Sequence, residues 1–127
     1  MIDSRLPYEI SLSPNSAAAP CARLALRDRL LEWGLAELLE DASTVAGELV
    51  ANAARLGEVF CVRLIPEDGA LLIEVCDSSP DTPQIRDSFG DSDAEGGRGL
   101  LIVEALAACW GVRRENGRKV VWARVIR

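Results

Sequence analysis

The 127-residue sequence contains no histidine. A Ser-His-Asp triad, a Cys-His dyad and a His-Glu-x-x-His metal site are therefore excluded. Any general base must be a carboxylate, a lysine or a cysteine. Cysteine is sparse: Cys21, Cys61, Cys76 and Cys109 form no Cys-x-x-Cys pair and there is no histidine to complete a zinc set, so structural zinc is not expected. The apolar runs are too short and interrupted to span a bilayer. The N-terminal residues, with Asp3 and Arg5 ahead of the mostly polar run Ser11 to Ser16, lack the apolar core of a signal peptide. The expected compartment is the cytoplasm, where unpaired thiols stay reduced. A basic excess is also missing: 14 Lys and Arg against 20 Asp and Glu give a net charge of −6. That balance argues against a nucleic-acid backbone or an anionic membrane as the main partner.

What is present is an ordinary globular balance, 49% hydrophobic and 27% charged residues, which predicts one self-folding domain over residues 1–127 with no need of a disulfide or metal staple. Charge is segregated along it. Residues 77–95 carry Asp77, Asp81, Asp87, Asp91, Asp93 and Glu95 against Arg86 alone, whereas residues 113–127 carry Arg113, Arg114, Arg118, Lys119, Arg124 and Arg127 against Glu115. Such runs are usually a solvated loop and a solvated sheet face; a partner surface is the alternative.

Tyr8 to Leu12 alternates apolar and polar residues like a first strand, ended by Pro14. A helix follows, capped by Asn15 or Ser16, with Leu24, Leu30 and Leu31 expected on its buried side and Gly34 as its stop. A second helix is capped by Asp41 or Ser43, buries Val45, Leu49, Val50 and Ala53, and stops at Gly57. Val59 to Ile65 and Ala70 to Cys76 read as a hairpin around Pro66-Glu67-Asp68-Gly69. From Asp77 to Gly97 runs a Ser, Asp, Pro and Gly loop of about 20 residues, a length that in a small domain usually marks a functional lid or a disordered segment. Helical spacing returns from Leu100 to Trp110, and a last hairpin turns on Asn116-Gly117. Helices interrupting hairpins in this order predict an α/β sandwich: a mixed, mainly antiparallel sheet covered on one face by about three helices.

Three constellations carry chemistry. Glu48 and Asn52, four apart, project from one helix face, and a carboxylate with a carboxamide can hold a metal and a water. Taken alone, such a pair is more often solvated surface. Asp77 follows the apolar run Leu71 to Cys76, so its carboxylate ends a buried strand and needs a donor, for which a purine amino group would serve; the plainer reading is a turn-starting Asp ahead of Ser78-Ser79-Pro80. Glu95-Gly96-Gly97-Arg98-Gly99-Leu100 puts three glycines and an arginine at a helix start, where bare N–H groups seat phosphate.

Together, in this order, the three resemble the GHKL ATPases and histidine kinases of the Bergerat ATP-binding fold, most closely the anti-sigma-factor serine kinases and the short actinobacterial ATP-binding proteins similar to them. Glu48-Leu49-Val50-Ala51-Asn52-Ala53 is similar to that family's N box. Asp77-Ser78-Ser79-Pro80 resembles its adenine-binding motif, Gly96-Gly97-Arg98-Gly99-Leu100 its glycine-rich motif, and Lys119-Val120-Val121-Trp122 its last strand. The resemblance implies that Asn52 coordinates Mg²⁺ at the phosphates of ATP and that Asp77 accepts from the adenine amino group. It further implies that Gly97, Gly99 and Leu100 offer backbone N–H groups to the phosphates, with Arg98 neutralising charge there. Glu48 would be the general base, and residues 78–97 the ATP lid. The implied partners are a sigma factor, an anti-anti-sigma-type antagonist or another transcription regulator, with a homodimer as the common assembly.

The sequence departs from the family at Ser79 and Asp81, where kinase relatives carry glycines, and at Glu95, often the first lid glycine. It departs also at Val120, where a threonine hydroxyl often helps hold phosphate. Two functions are open on these residues: a Mg-ATP-dependent serine/threonine protein kinase that sequesters a sigma factor, or a non-catalytic module of the same fold that regulates a protein partner.

Overall fold

The computed structural model describes residues 5–78 and 95–127, with the side chains of 95–99 outside the described set. The sequence-predicted lid, including Ser79 and Asp81, therefore lies almost wholly outside the described residues. Five strands, β1 (Tyr8–Leu12), β2 (Phe60–Glu67), β3 (Ala70–Asp77), β4 (Cys109–Glu115) and β5 (Arg118–Ile126), form one sheet in the order β1-β2-β3-β5-β4. Every pairing is antiparallel rather than mixed. Three helices, α1 (Ala18–Trp33), α2 (Leu39–Ala54) and α3 (Glu95–Leu106), cover one face, with α2 packed between α1 and α3 and a short 3₁₀ turn, Ala36–Leu38, leading into α2.

Period-2 alternation decides which residues meet the helices. Phe60, Val62 and Leu64 of β2, Leu71, Ile73 and Val75 of β3, and Ala123 and Val125 of β5 join the helix side chains in one core. From α2 come the expected Val45, Leu49, Val50 and Ala53, all buried. Both hairpins turn where Gly supplies a left-handed backbone: Gly69 has φ 69°, and Asn116-Gly117 has φ 53° and 78°, the two successive positive values of a type I′ turn.

Three expectations need correction. In α1 the buried positions are Ala18, Ala22, Leu26, Leu30 and Trp33, so Leu24 and Leu31 stand exposed at 61% and 57%. Two of the inward positions are alanines, which makes the apolar weight of the two faces nearly equal. Asn15 does reach the helix start, its Oδ1 accepting from the Ala17 N–H at 2.9 Å, but Asp41 and Ser43 cap nothing: α2 begins at Leu39, straight out of the 3₁₀ turn. The last helix runs from Glu95 to Leu106, not from Leu100 to Trp110; Trp110 belongs to β4 and packs against the core. Among the described residues no helix is long and apolar enough to cross a membrane.

The opposite sheet face is built differently. Cys61, Cys76 and Val120 form a small buried cluster. Next to it Glu74, 4% exposed, forms ion pairs with Arg63 Nε at 2.9 Å and Arg113 Nη2 at 2.7 Å, and both guanidinium groups also reach Glu115 at 3.3 Å. Gly111 makes room here for Trp122: a β-carbon on Gly111 would stand 2.9 Å from the indole.

Cys61 and Cys76 are direct cross-strand partners. Burial, then the neighbouring thiol, pushes Cys76 up to about 12 from 9.0, and burial followed by the charge of Glu9 raises Cys61. A raised thiol pKa stabilises the fold fully below the unfolded value and loses that contribution as pH climbs through the folded one. Stability should therefore fall between about pH 9 and pH 12, read as a dropping urea midpoint, and the Cys61→Ala/Cys76→Ala variant should flatten that decline. An equally steep decline in the variant would assign it to other groups.

Candidate nucleotide site

Glu48 and Asn52 both sit on α2, one turn apart, on the side away from its buried stripe, and both are half-buried rather than solvated. Glu48 opens into a groove of about 480 Å³ between α1 and α2, shared with Arg23, Ser43, Thr44 and Gly47. Gly47 allows the close approach, since a β-carbon there would stand 3.2 Å from Arg23 Nη1. Asn52 lies one turn further on, close to the C-terminal end of the helix.

That end of α2 and the end of β3 meet. After Ala54 the chain needs only five residues to enter β2 at Phe60, and Ser78, just beyond β3, donates its hydroxyl to Glu58 at 2.6 Å. Asp77 is thus held beside the helix that carries Asn52. Its position is unusual for a carboxylate. It is 3% exposed, on the helix-covered face one step past Val75, and burial of that kind demands donors. Lys119, its direct partner on β5, places Nζ 3.5 Å from Asp77 Oδ2.

The glycine-rich segment is helical from Glu95. The first-turn N–H groups of a helix, here Glu95, Gly96 and Gly97, have no intrahelical carbonyl to meet and lie at its positive end. Those of Gly99 and Leu100 fall in register with the carbonyls of Glu95 and Gly96. Of the three residues expected to donate to phosphate, Gly97 lies in the first turn, and Gly99 and Leu100 lie deeper in α3, where Leu100 is buried at 4%. The side chain of Arg98 lies outside the described residues.

Val120 is the departure whose meaning changes. It is 1% exposed and packs with Cys61 and Cys76 on the face opposite Asp77. Strand alternation turns Lys119 toward the helices and Val120 away from them. Val120 is thus turned away from the sheet face that carries Asp77.

Lys119 beside Asp77 and Arg23 beside Gly47 are the contacts that sequence reasoning missed. No local pattern pairs β3 with β5, because about 40 residues of intervening chain separate them; Arg23 could have been noticed only as a long cation opposite a mid-helix glycine.

Among the described residues no three Cys, Asp or Glu side chains group as an all-protein metal cage. The donor set fits a hard cation that takes one amide oxygen from Asn52 and fills its other positions with phosphate and water. A search of curated proteins found no match. The family model of the histidine kinase-like ATPase domain matches residues 11–125, a span that takes in the end of β1, the three helices, β2 to β4, all but the last residue of β5, and each motif above. With this sheet order, and with Asp77 buried at the end of its central strand, the chain belongs to the histidine kinase-like ATPase domain family.

Proposed function

We propose that this protein is a Mg-ATP-binding regulator that works as a serine/threonine protein kinase of the anti-sigma-factor type, controlling a transcription partner. The observation that carries this reading is Asp77: a buried carboxylate at a strand end, beside the helix bearing Glu48 and Asn52, in a chain of an ATPase-domain family. Asp77 accepts from the adenine amino group, Asn52 supplies an oxygen to Mg²⁺, and the first-turn N–H groups of α3 face the phosphates. Bound Mg²⁺ supplies charge neutralisation at the phosphates. Glu48, open to the groove between α1 and α2, orients an acceptor hydroxyl and takes its proton.

The exposed Leu24 and Leu31 on α1, Leu24 adjoining the groove-lining Arg23, support a protein as the acceptor. The test is titration calorimetry with ATP and ADP, with and without Mg²⁺, followed by phosphotransfer assays on serine-bearing candidate partners. Glu48→Gln should bind Mg-ATP within about twofold of the native chain and lose transfer by about 100-fold or more. Equal loss of binding and transfer would remove Glu48 as the base. Native binding with no transfer to any partner would favour the non-catalytic module.

A further inference from the structure

Resting on the adenine reading of Asp77, we propose that Lys119 is a second base-reading residue. It donates to the ring nitrogen beside the amino group that Asp77 accepts from.

The two side chains are direct cross-strand partners at the end of β3 and the start of β5, and both point to the helix-covered face, past the core residues Val75 and Val121. Their separation is 3.5 Å, and their exposures differ: the Asp77 side chain is 5% exposed and that of Lys119 21%. The Lys119 side chain is therefore the more accessible of the two, with the carboxylate the more deeply buried. An ammonium carries three N–H donors and a carboxylate about four acceptor sites, so one mutual contact saturates neither. A donor and an acceptor fixed side by side are complementary to a heterocycle edge on which an amino group adjoins a ring nitrogen. Adenine has two such edges, the amino group with N1 and the amino group with N7. A carboxylate alone recognises only the amino group; the pair also requires the nitrogen.

The experiment measures ATP, 1-deaza-ATP and 7-deaza-ATP binding by calorimetry on the native chain and on Lys119→Met. One of the two analogues should bind the native chain about tenfold or more weakly than ATP, the loss expected for a hydrogen bond from a charged donor. Lys119→Met should bind ATP and that same analogue equally, so that the discrimination disappears with the ammonium. Because Lys119→Met leaves Asp77 without this cation, the comparison is repeated between Asp77→Asn and Asp77→Asn/Lys119→Met, in which position 77 carries no carboxylate. Discrimination that survives removal of Lys119, or both analogues binding the native chain as well as ATP does, would overturn the inference and leave the nucleotide site standing. A native chain that binds neither ATP nor ADP would overturn the nucleotide reading and this inference with it.

Discussion

Asn52→Ala should weaken Mg²⁺-dependent ATP binding by about 100-fold, equal to about 2.8 kcal/mol, while the chain stays folded. The reasoning runs from the helix outward. Asn52 is half-buried on α2 but outside its core stripe, so alanine opens no large cavity, and alanine is the better helix former. What is lost is one amide oxygen from a cation that draws its other ligands from phosphate and water; a Mg²⁺ site with a single protein ligand has no reserve. Calorimetry in the presence of Mg²⁺ should show the loss, and binding of ADP in EDTA should change little. Loss of metal-free binding to the same extent would mean that Asn52 shapes the pocket rather than holding the ion. Unchanged Mg-ATP affinity would refute the assignment.

The second large effect is on stability and sits on the other side of the sheet. Arg63→Met/Arg113→Met should cost about 3–5 kcal/mol, the range for breaking a buried ion pair. Glu74 would keep its burial and lose both of the cations that meet it at 2.9 and 2.7 Å. Each single replacement should cost much less than half of this, because the remaining guanidinium still reaches the carboxylate, so the pair should be strongly non-additive. Adding Glu74→Met to the double variant should recover most of the loss, since apolar side chains of similar length can replace a buried ionic cluster. Urea unfolding of the native chain and the four variants reads this directly. Additive single effects would show that the carboxylate does not depend on the two arginines jointly.

The contrast between the two sheet faces explains how much of the molecule its sequence discloses. β1, the two hairpins and α2 are legible because their signals are local: alternation in Tyr8–Leu12, the glycines that turn at Gly69 and Gly117, and the apolar stripe from Val45 to Ala53. α1 misleads for a local reason too, since Ala18 and Ala22 carry burial without apolar bulk while Leu24 and Leu31 carry bulk without burial. Glu48, Asn52 and Asp77 are legible as motifs, and each lies on the element expected of it, the first two on α2 and Asp77 at the end of β3. What no local reading supplies is the pairing of β3 with β5. Only that register sets Lys119 against Asp77, turns Val120 to the opposite face, and brings Arg113, from β4 beyond β5, within reach of Glu74.

The same register has a consequence in time. β1, β2 and β3 pair as neighbours in the chain, and α1 and α2 lie between or before them, so this half can assemble as soon as residue 77 is available. β4 cannot extend it, because among the described residues the only strand that β4 pairs with is β5. A nascent chain must therefore hold β3 with its second edge bare until β5, the last strand in sequence, arrives to pair with β3 and β4 at once. The wait falls on the strand that ends in Asp77. Until it is over, one edge of an apolar strand is open to other chains. On a ribosome, the edge that carries Asp77 would be the last part of this domain to close.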